Sequence, residues 1–169
     1  MKKTIKPKLE FLEKMKKLLD QDDFKKYEKI IQEPLLNSIR CNTLKISPEQ
    51  LKKKLEEKGW KIIQPWKEHQ EVMIVENELL PGKLGRSIEH LLGYYYIQEL
   101  ASMLPPIALA PKPHELILDL CASPGSKTSQ MASYMKNKGT IIANDVKIER
   151  IKILASNLER CGVVNTIIT

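Results

Sequence analysis

The sequence predicts an α/β fold in which a small α/β module precedes the first βαβαβ half of a doubly wound parallel sheet. Three apolar runs rich in β-branched residues alternate with two helical segments in the last third of the chain. A shorter strand, helix and strand pattern lies between residues 39 and 63. The chain has 169 residues, 42% of them hydrophobic, which suffices for one compact core or for a small domain beside part of a second.

Two helices are predicted at the start of the chain. Apolar residues recur every three to four positions from Lys8 to Asp20, which is typical of an amphipathic helix. A second helix is predicted from Asp22 to Gln32, with Asp22 as its N-cap and Pro34 as its end.

A small α/β unit follows, and its capping signals are strong. Ser47, Pro48 and Gln50 together predict a helix start with a capping box, and Gly59 predicts the helix end. The strands predicted around this helix are Ile39–Ile46, Trp60–Ile63 and Val72–Val75, and a turn is predicted at Leu80–Lys83.

The middle of the chain changes character at three consecutive tyrosines, Tyr94 to Tyr96. We expect these rings to pack in the core rather than to stack on bases. The segment 97–106 indicates a strand or turn that leads into a short helix. We therefore predict three regions: a basic N-terminal module over 1–92, a linking segment over 93–114 and a partial cofactor-binding domain over 115–169.

The last third predicts parallel strands. Continuous apolar runs of this kind are typical of strands that are buried on both faces of a sheet. Since a complete doubly wound sheet needs several more βα units, we expect only its first half here. The elements predicted are strands Leu116–Leu120, Thr140–Ala143 and Val163–Ile168, and helices Ser126–Lys136 and Val146–Cys161, the latter closed by Gly162.

Charge is distributed unevenly along the chain. Residues 1–70 carry 18 Lys and Arg against 11 Asp and Glu, so this part holds the whole net charge of +7. Such a basic module is suited to a polyanion such as RNA. The alternative is that these lysines only solvate exposed helix faces.

The number of cysteines and the hydropathy of the chain exclude several classes of protein. Three widely spaced cysteines without a C-x-x-C pair favour free thiols and no metal site. No apolar run reaches the roughly 18 residues of a membrane-spanning helix, and the N-terminus lacks a signal core. We therefore expect a cytoplasmic monomer that does not contact a membrane.

The segment Asp119–Thr128 predicts a cofactor-binding turn. It joins a strand to a helix through small residues, so the free N–H groups of the helix start face a ligand. A phosphate-binding G-x-x-x-x-G-K-[ST] loop does not fit, because Cys121 and Ser126 stand where glycines are needed, and the G-x-G-x-x-G fingerprint is absent as well. Asp145 ends the next strand, where an acidic side chain binds a ribose diol. A nucleoside cofactor without pyrophosphate satisfies both observations.

The string DLCASPGSKT at 119–128 resembles the D-x-C-A-A-P-G-G-K-T motif of the Nol/Nop/Sun (RsmB-type) RNA cytosine-5 methyltransferases. Ser123 and Ser126 depart from the usual Ala and Gly, but both are small. Further similarities cover the chain from about residue 35 onwards. They are Arg40–Lys45, similar to the R-x-N-T-L-K of the family's RNA-binding module, the segment Tyr95–Met103 that precedes the family's catalytic domain, and Asn144–Gly162, similar to its second cofactor segment.

The resemblance implies a Rossmann-like sheet that binds S-adenosylmethionine, with tRNA or rRNA as the partner. In this interpretation the turn embraces the methionine part, Asp145 binds the ribose hydroxyls and Arg150 supports the same pocket. The implied cofactor-binding residues are Cys121, Ala122, Ser123, Pro124, Gly125, Ser126, Lys127, Asp145 and Arg150.

Purely structural roles remain open for several of these residues. Asp145 could be only a helix cap, Arg150 an exposed helix cation and Lys127 a solvated first-turn residue. We expect Cys121 to be a small buried packing residue rather than a nucleophile.

The family's catalytic strings, D-x-P-C and T-C-S, do not occur in this sequence. We therefore assign no catalytic residue and expect the chain to be inactive alone, as an N-terminal piece of such an enzyme. The alternatives are a non-catalytic module that binds RNA or S-adenosylmethionine and, less favoured by the spacing of the turn, a kinase-like nucleotide-binding protein.

Overall fold

The computed structural model describes residues 7–33, 36–77 and 79–169. The chain divides into two compact units, one ending at Leu36 and the other running from Asn37 to Thr169. The helices of the described residues are α1 (Leu9–Leu18), α2 (Gln21–Ile30), α3 (Pro48–Glu56), α4 (Lys83–Arg86), α5 (Ile88–Leu91), α6 (Leu100–Leu109), α7 (Ser126–Tyr134) and α8 (Ile148–Cys161). Their strands are β1 (Asn37–Cys41), β2 (Ile62–Ile63), β3 (Val72–Val75), β4 (Tyr95–Ile97), β5 (Leu116–Asp119), β6 (Thr140–Ala143) and β7 (Thr166–Ile168).

The first unit consists of the two predicted helices, α1 and α2. The N-cap of α2 is Asp20, whose carboxylate accepts hydrogen bonds from the N–H groups of Asp22 and Asp23 at 3.0 and 2.8 Å. The prediction of Asp22 as the cap is therefore wrong, because Asp22 is one of the donors that Asp20 satisfies. The helix ends at Ile30, and Pro34, the predicted end, lies outside the described residues.

The second unit opens with a four-stranded antiparallel sheet, in which the strand order is β2-β3-β1-β4. Strand β1 ends at Cys41 rather than at the predicted Ile46. The reason is a turn at Asn42, whose backbone carbonyl accepts hydrogen bonds from the N–H groups of Lys45 and Ile46. The side-chain oxygen of Asn42 also accepts from the Leu44 N–H, as is usual for Asn in turns.

Helix α3 packs against this sheet, and β4 is its edge strand beside β1. The capping box at the start of α3 is confirmed, because Ser47 accepts from the Gln50 N–H and the Gln50 side chain accepts from the Ser47 N–H. Tyr95 and Tyr96 lie in β4 and are buried, as expected for core residues. The core residues shared by the sheet and α3 include Ile39, Leu51, Leu55, Trp60 and Tyr95.

The second sheet of this unit is parallel, with the order β5-β6-β7. The predicted βαβαβ arrangement is confirmed, since α7 connects β5 to β6 and α8 connects β6 to β7. Gly162 ends α8 at a φ of 73°, which a glycine adopts without strain. The carboxyl ends of β5 and β6 therefore lie side by side at one edge of the sheet, where the turn 120–125 follows β5.

Burial of the parallel strands differs from the expectation. Ile141 and Ala143 are fully buried on one face of the sheet, whereas Leu116, Leu118 and Ile167 are 71%, 58% and 56% exposed. The prediction that both faces are buried is therefore wrong for this chain, because α7 and α8 pack against one face only. Within residues 7–33, 36–77 and 79–169, no helix has both the length and the apolar character needed to cross a bilayer.

Candidate functional site

The turn predicted to hold a cofactor follows β5 directly and ends where α7 begins. Gly125 precedes α7 with a φ of 99°, a left-handed conformation that glycine adopts readily. A Cβ at this position would also lie 3.1 Å from a methyl group of Leu154. The turn is closed by a hydrogen bond of 2.7 Å from the Gly125 N–H to the carbonyl oxygen of Ala122. The first N–H groups of α7 therefore lie at the carboxyl end of β5, as predicted.

Asp145 lies just beyond the end of β6 and is only 7% exposed. Its carboxylate accepts hydrogen bonds of 3.3 Å from the backbone N–H groups of Ser123 and Lys147. Asp145 is not the N-cap of α8, a position that Lys147 occupies. The structure thus brings Asp145 into direct contact with the predicted turn.

Arg150, in the first turn of α8, links the same two segments. Its Nε lies 3.2 Å from the Asp145 carboxylate, and its NH2 group donates to the carbonyl oxygen of Ser123 at 2.7 Å. Ser123 returns a hydrogen bond of 2.8 Å from its hydroxyl to the Arg150 carbonyl oxygen. Arg150 is therefore held in place rather than being a free helix cation, and the serine that departs from the family motif takes part in holding it.

The remaining predicted residues have different environments. Ala122 is buried and packs with Ala143, Leu154 and Leu158, whereas Cys121 is exposed. The expectation that Cys121 is a buried packing residue is therefore wrong, because Ala122 fills that position in the core.

Pro124 and Lys127 are exposed, and Gly125 and Ser126 lie between them in the chain. Lys127 lines a shallow groove of about 230 Å³ together with Leu118, Asp119 and Leu120. Within the described part of the chain, no group of three His, Cys, Asp or Glu side chains is placed to hold a metal ion.

Three residues that hold the turn were not predicted as site residues. The hydroxyl of Tyr96 donates to the carbonyl oxygen of Pro124 at 3.0 Å, and the side-chain amide of Asn157 donates to the same oxygen at 2.9 Å. Arg40 of β1 donates to the carbonyl oxygen of Ser126 at 2.6 Å. For Arg40 the sequence offers one signal, the alternation of Ser38 and Arg40 in β1 with Asn42 just after it, which predicts a polar face on this strand.

Burial shifts the pKa values of several groups near the turn. Burial raises the pKa of Tyr96 to about 12, so its hydroxyl remains a proton donor at neutral pH. Burial also lowers the pKa of Arg40 to about 10, which leaves this guanidinium charged. The pKa of the buried Cys41 thiol rises to about 12, and burial raises that of Cys161 as well. Neither of these two thiols is a thiolate near neutral pH.

Two family models match the chain one after the other. The model for the N-terminal domain of 16S rRNA methyltransferase RsmF matches residues 8–100, and the model for 16S rRNA methyltransferase RsmB/F matches residues 106–169. The match begins earlier than the resemblance from about residue 35 suggested, so it also includes α1 and α2. The two matches together cover the four-stranded sheet and the turn.

Individual proteins show the same relationship. The chain is 41% identical over 159 residues to ribosomal RNA small subunit methyltransferase F of Vibrio parahaemolyticus, covering 92% of this chain and 33% of that protein. It is 46% identical over 153 residues to tRNA (cytosine(49)-C(5))-methyltransferase of Pyrococcus abyssi, covering 90% of this chain and 47% of that one. The chain thus spans a third to a half of the length of these curated relatives.

A solved structure extends the comparison to the fold. The crystal structure of NSun6 from Pyrococcus horikoshii with SFG superposes with a TM-score of 0.85 at 23% identity, covering 96% of this chain and 65% of that one. At this identity the likeness shows the fold alone, and it confirms the Rossmann-like sheet with its preceding α/β module. The two family models, which match residues 8–100 and 106–169, confirm the resemblance drawn from the turn motif. The chain belongs to the RsmB/F family of RNA methyltransferases.

Proposed function

We propose that this chain supplies the RNA-binding module and part of the S-adenosylmethionine pocket of an RNA cytosine-5 methyltransferase acting on rRNA or tRNA. The observation that carries the proposal is the junction of Ser123, Asp145 and Arg150 at the carboxyl ends of β5 and β6. Ligands of open α/β sheets bind outside the carboxyl ends of the strands, near such a junction. The printed names of the relatives, one acting on ribosomal RNA and one on tRNA cytosine, support the substrate class.

The proposed cofactor contacts follow from the turn geometry. The first N–H groups of α7 favour the carboxylate of the methionine part, because a helix start carries a partial positive charge. An ionised carboxylate has about four acceptor positions, of which Ser123, Lys147 and Arg150 use three, so Asp145 retains capacity for a ribose hydroxyl. The residues proposed to form this part of the pocket are Cys121, Ala122, Ser123, Pro124, Gly125, Ser126, Lys127, Asp145 and Arg150.

The chemistry supplied by S-adenosylmethionine is a methyl group that is activated for transfer. Methylation of cytosine at carbon 5 also needs a thiolate that adds to carbon 6 of the ring. The buried thiols of Cys41 and Cys161 do not fit this task, and the family's D-x-P-C and T-C-S strings are absent from the sequence. We therefore assign binding roles to this chain, no catalytic residue, and expect no methyl transfer by these 169 residues alone.

A titration with S-adenosylmethionine tests the cofactor proposal. In a two-dimensional amide NMR spectrum, we expect the shifts induced by the cofactor to be concentrated at residues 121–127 and 145–150. Asp145→Asn should weaken binding by about 10-fold or more, the scale of a lost hydrogen bond to a carboxylate. Glu149→Gln removes the same charge from an exposed position in α8 and should leave the affinity unchanged. Shifts confined to other segments, or equal effects of the two variants, would contradict the assignment.

RNA binding is proposed for the basic module over residues 1–92. Lys53 and Lys54 on α3 are exposed and line an open pocket of about 410 Å³ together with Lys45 and Glu57, and these two exposed lysines are suited to phosphate groups. Replacing Lys53 and Lys54 by Gln should lower the slope of log affinity against log salt for bulk tRNA by about one per lost phosphate contact. The matched pair Lys112→Gln and Lys138→Gln, outside the module, should not change the slope. A larger effect of the second pair would place the RNA elsewhere.

A further inference from the structure

We propose that Arg40 and Tyr96 of the first sheet are positioning residues for the cofactor turn, residues 121–127, so that the four-stranded sheet takes part in cofactor binding. This inference rests on the proposed function of the turn. It assigns to β1 and β4 a role at a site that lies on the other sheet of the same compact unit.

The proposal is based on hydrogen bonds that side chains outside the turn donate to the carbonyl groups of the turn. The carbonyl oxygens of Ser123, Pro124 and Ser126 each accept a hydrogen bond from a side chain outside the turn. Two donors, Arg150 and Asn157, come from α8, whereas Arg40 and Tyr96 come from the first sheet. No single element therefore fixes the turn, and the four-stranded sheet supplies two of the side chains that donate to these carbonyl groups.

Fixing the Ser126 carbonyl group also fixes a donor that faces the ligand. In a planar trans peptide the carbonyl of one residue and the N–H of the next point in opposite directions. The hydrogen bond from Arg40 to the Ser126 carbonyl oxygen therefore orients the N–H of Lys127. This N–H is one of the first donors of α7, which have no partner within the helix. Arg40 thus orients the Lys127 N–H toward the proposed cofactor site, although Arg40 does not contact the cofactor itself.

The environment of Arg40 is that of a structural brace and not of an RNA contact. The residue is 1% exposed, and its guanidinium donates to Ser126, Gln98, Ser129 and Gln130. None of these partners is a carboxylate, so the positive charge at the start of α7 is not neutralised by its hydrogen-bond partners. It adds to the positive end of the α7 dipole and favours an anionic group, such as the cofactor carboxylate, at the turn.

Tyr96 is held as firmly as Arg40. Its ring lies between two guanidinium groups, with Arg40 at 5.7 Å and Arg160 at 5.5 Å from the ring centre. Among the described residues, the Tyr96 hydroxyl makes one hydrogen bond, to the Pro124 carbonyl oxygen. Removal of that hydroxyl therefore takes away one of the two side-chain donors to the Pro124 carbonyl oxygen, the other being Asn157, and leaves the packing of the ring intact.

The neighbouring tyrosine provides a matched control. Tyr95 lies in the same strand, is also buried, and donates its hydroxyl to a backbone carbonyl, that of Leu84. Both tyrosine-to-phenylalanine changes therefore delete one buried hydroxyl bound to a main-chain oxygen. Only Tyr96→Phe removes a hydrogen bond from the cofactor turn.

The experiment compares wild type, Tyr96→Phe and Tyr95→Phe as full 169-residue chains. Without cofactor, hydrogen exchange of the amides at 122–129 should become about five- to tenfold faster in Tyr96→Phe and remain unchanged in Tyr95→Phe, as expected for one lost hydrogen bond. The dissociation constant for S-adenosylmethionine, measured by NMR titration, should rise by a similar factor in Tyr96→Phe alone. Affinity for bulk tRNA should be the same in all three proteins.

The outcomes separate the two proposals. Unchanged exchange at 122–129 in Tyr96→Phe would overturn the positioning role, and so would an equal change in Tyr95→Phe. Faster exchange with an unchanged cofactor affinity would overturn the contribution to cofactor binding. Absence of S-adenosylmethionine shifts at the turn in the wild type would refute the proposed function, while the exchange comparison would still decide whether the first sheet positions the turn.

Arg40→Lys gives a second measurement of the same kind. Lysine keeps the charge but lacks the fork with which Arg40 reaches both the Ser126 carbonyl oxygen and the Ser129 hydroxyl. Exchange at 122–129 should again become faster, and the tRNA affinity should not change. Loss of tRNA affinity with an unaltered turn would instead make Arg40 an RNA contact and overturn the proposal.

Discussion

In the two sheets of the second unit, the burial of the strand residues is the opposite of what their polarity indicates. Strand β1 carries Ser38 and Arg40 and is followed by Asn42, yet all three polar residues are buried. Strand β5 is nearly all apolar, yet Leu116 and Leu118 are mostly exposed. The polar strand is covered on both faces, and the apolar strand on one face only.

The difference shows what polar residues in a strand can indicate. These polar residues are buried because they bind the helices of the parallel sheet: Arg40 reaches the start of α7, and Asn42 donates to the carbonyl oxygen of Cys161 at the end of α8. Lys45 donates to the neighbouring Arg160 carbonyl oxygen. The segment Arg40–Lys45 therefore acts as a docking strip for two helix ends: the start of α7 and the end of α8, whose last carbonyl groups lack helical partners. Apolar residues, in contrast, become buried only where another element covers them.

Gly93→Ala should break the docking strip with the largest effect. Gly93 has a φ of 72°, and a Cβ there would lie 2.0 Å from the carbonyl oxygen of Arg160. We expect a loss of about 3–5 kcal/mol in the free energy of unfolding, from left-handed strain and a backbone clash together. The control is Gly59→Ala, since Gly59 has a φ of 79° but no heavy atom within 4 Å, and it should cost about 1–2 kcal/mol. Equal losses in urea unfolding would show that the two sheets are not in close contact at Gly93.

Asn42→Ala should have an intermediate effect. The side-chain amide of Asn42 donates to the carbonyl oxygens of Gly93 and Cys161 at 2.8 and 2.7 Å, and both bonds are buried. We expect a loss of about 2–3 kcal/mol, because two buried acceptors lose their donor. Asn77→Ala is the matched change, because the Asn77 amide donates to the exposed carbonyl of Gly59 within the first sheet and its turns. This change should cost about 1 kcal/mol or less. The two losses, measured by urea denaturation, should not be equal if the docking strip is as described.

The smallest effect is expected on the open face of the parallel sheet. Leu118→Thr should change the free energy of unfolding by about 0.5 kcal/mol or less, because Leu118 is 58% exposed. Ile141→Thr, on the covered face of the adjacent strand, should cost about 2 kcal/mol, because Ile141 is fully buried. Thermal unfolding of the two variants checks this pair. A large loss in Leu118→Thr would mean that the open face is covered in solution.

Local patterns were sufficient to predict most of the elements and the turn. The capping box at Ser47, the strand Thr140–Ala143 and the glycine that ends α8 follow from interactions within a few residues of the chain, and all three are confirmed. The approach of Asp145 to the turn was also predictable, because carboxyl ends of neighbouring parallel strands meet at one edge.

What could not be predicted depends on contacts between distant parts of the chain. The burial of Arg40 depends on acceptors in α7, and the exposure of Cys121 depends on Ala122 taking the core position against Leu154. Neither relation leaves a local pattern in the sequence. The same holds for the cap of α2, where two neighbouring acidic residues compete and only the backbone geometry decides between Asp20 and Asp22.

The docking strip has a consequence for how the protein acquires its structure. Arg40 and Ser126 are 86 residues apart in the chain, and Asn42 and Cys161 are 119 apart. Contacts of such long sequence separation slow folding, because a large loop must close before they form. During synthesis β1 leaves the ribosome long before α7 and α8, and its buried polar groups must remain solvated until those helices arrive. The cofactor turn and the first sheet should therefore fold in one late and cooperative step.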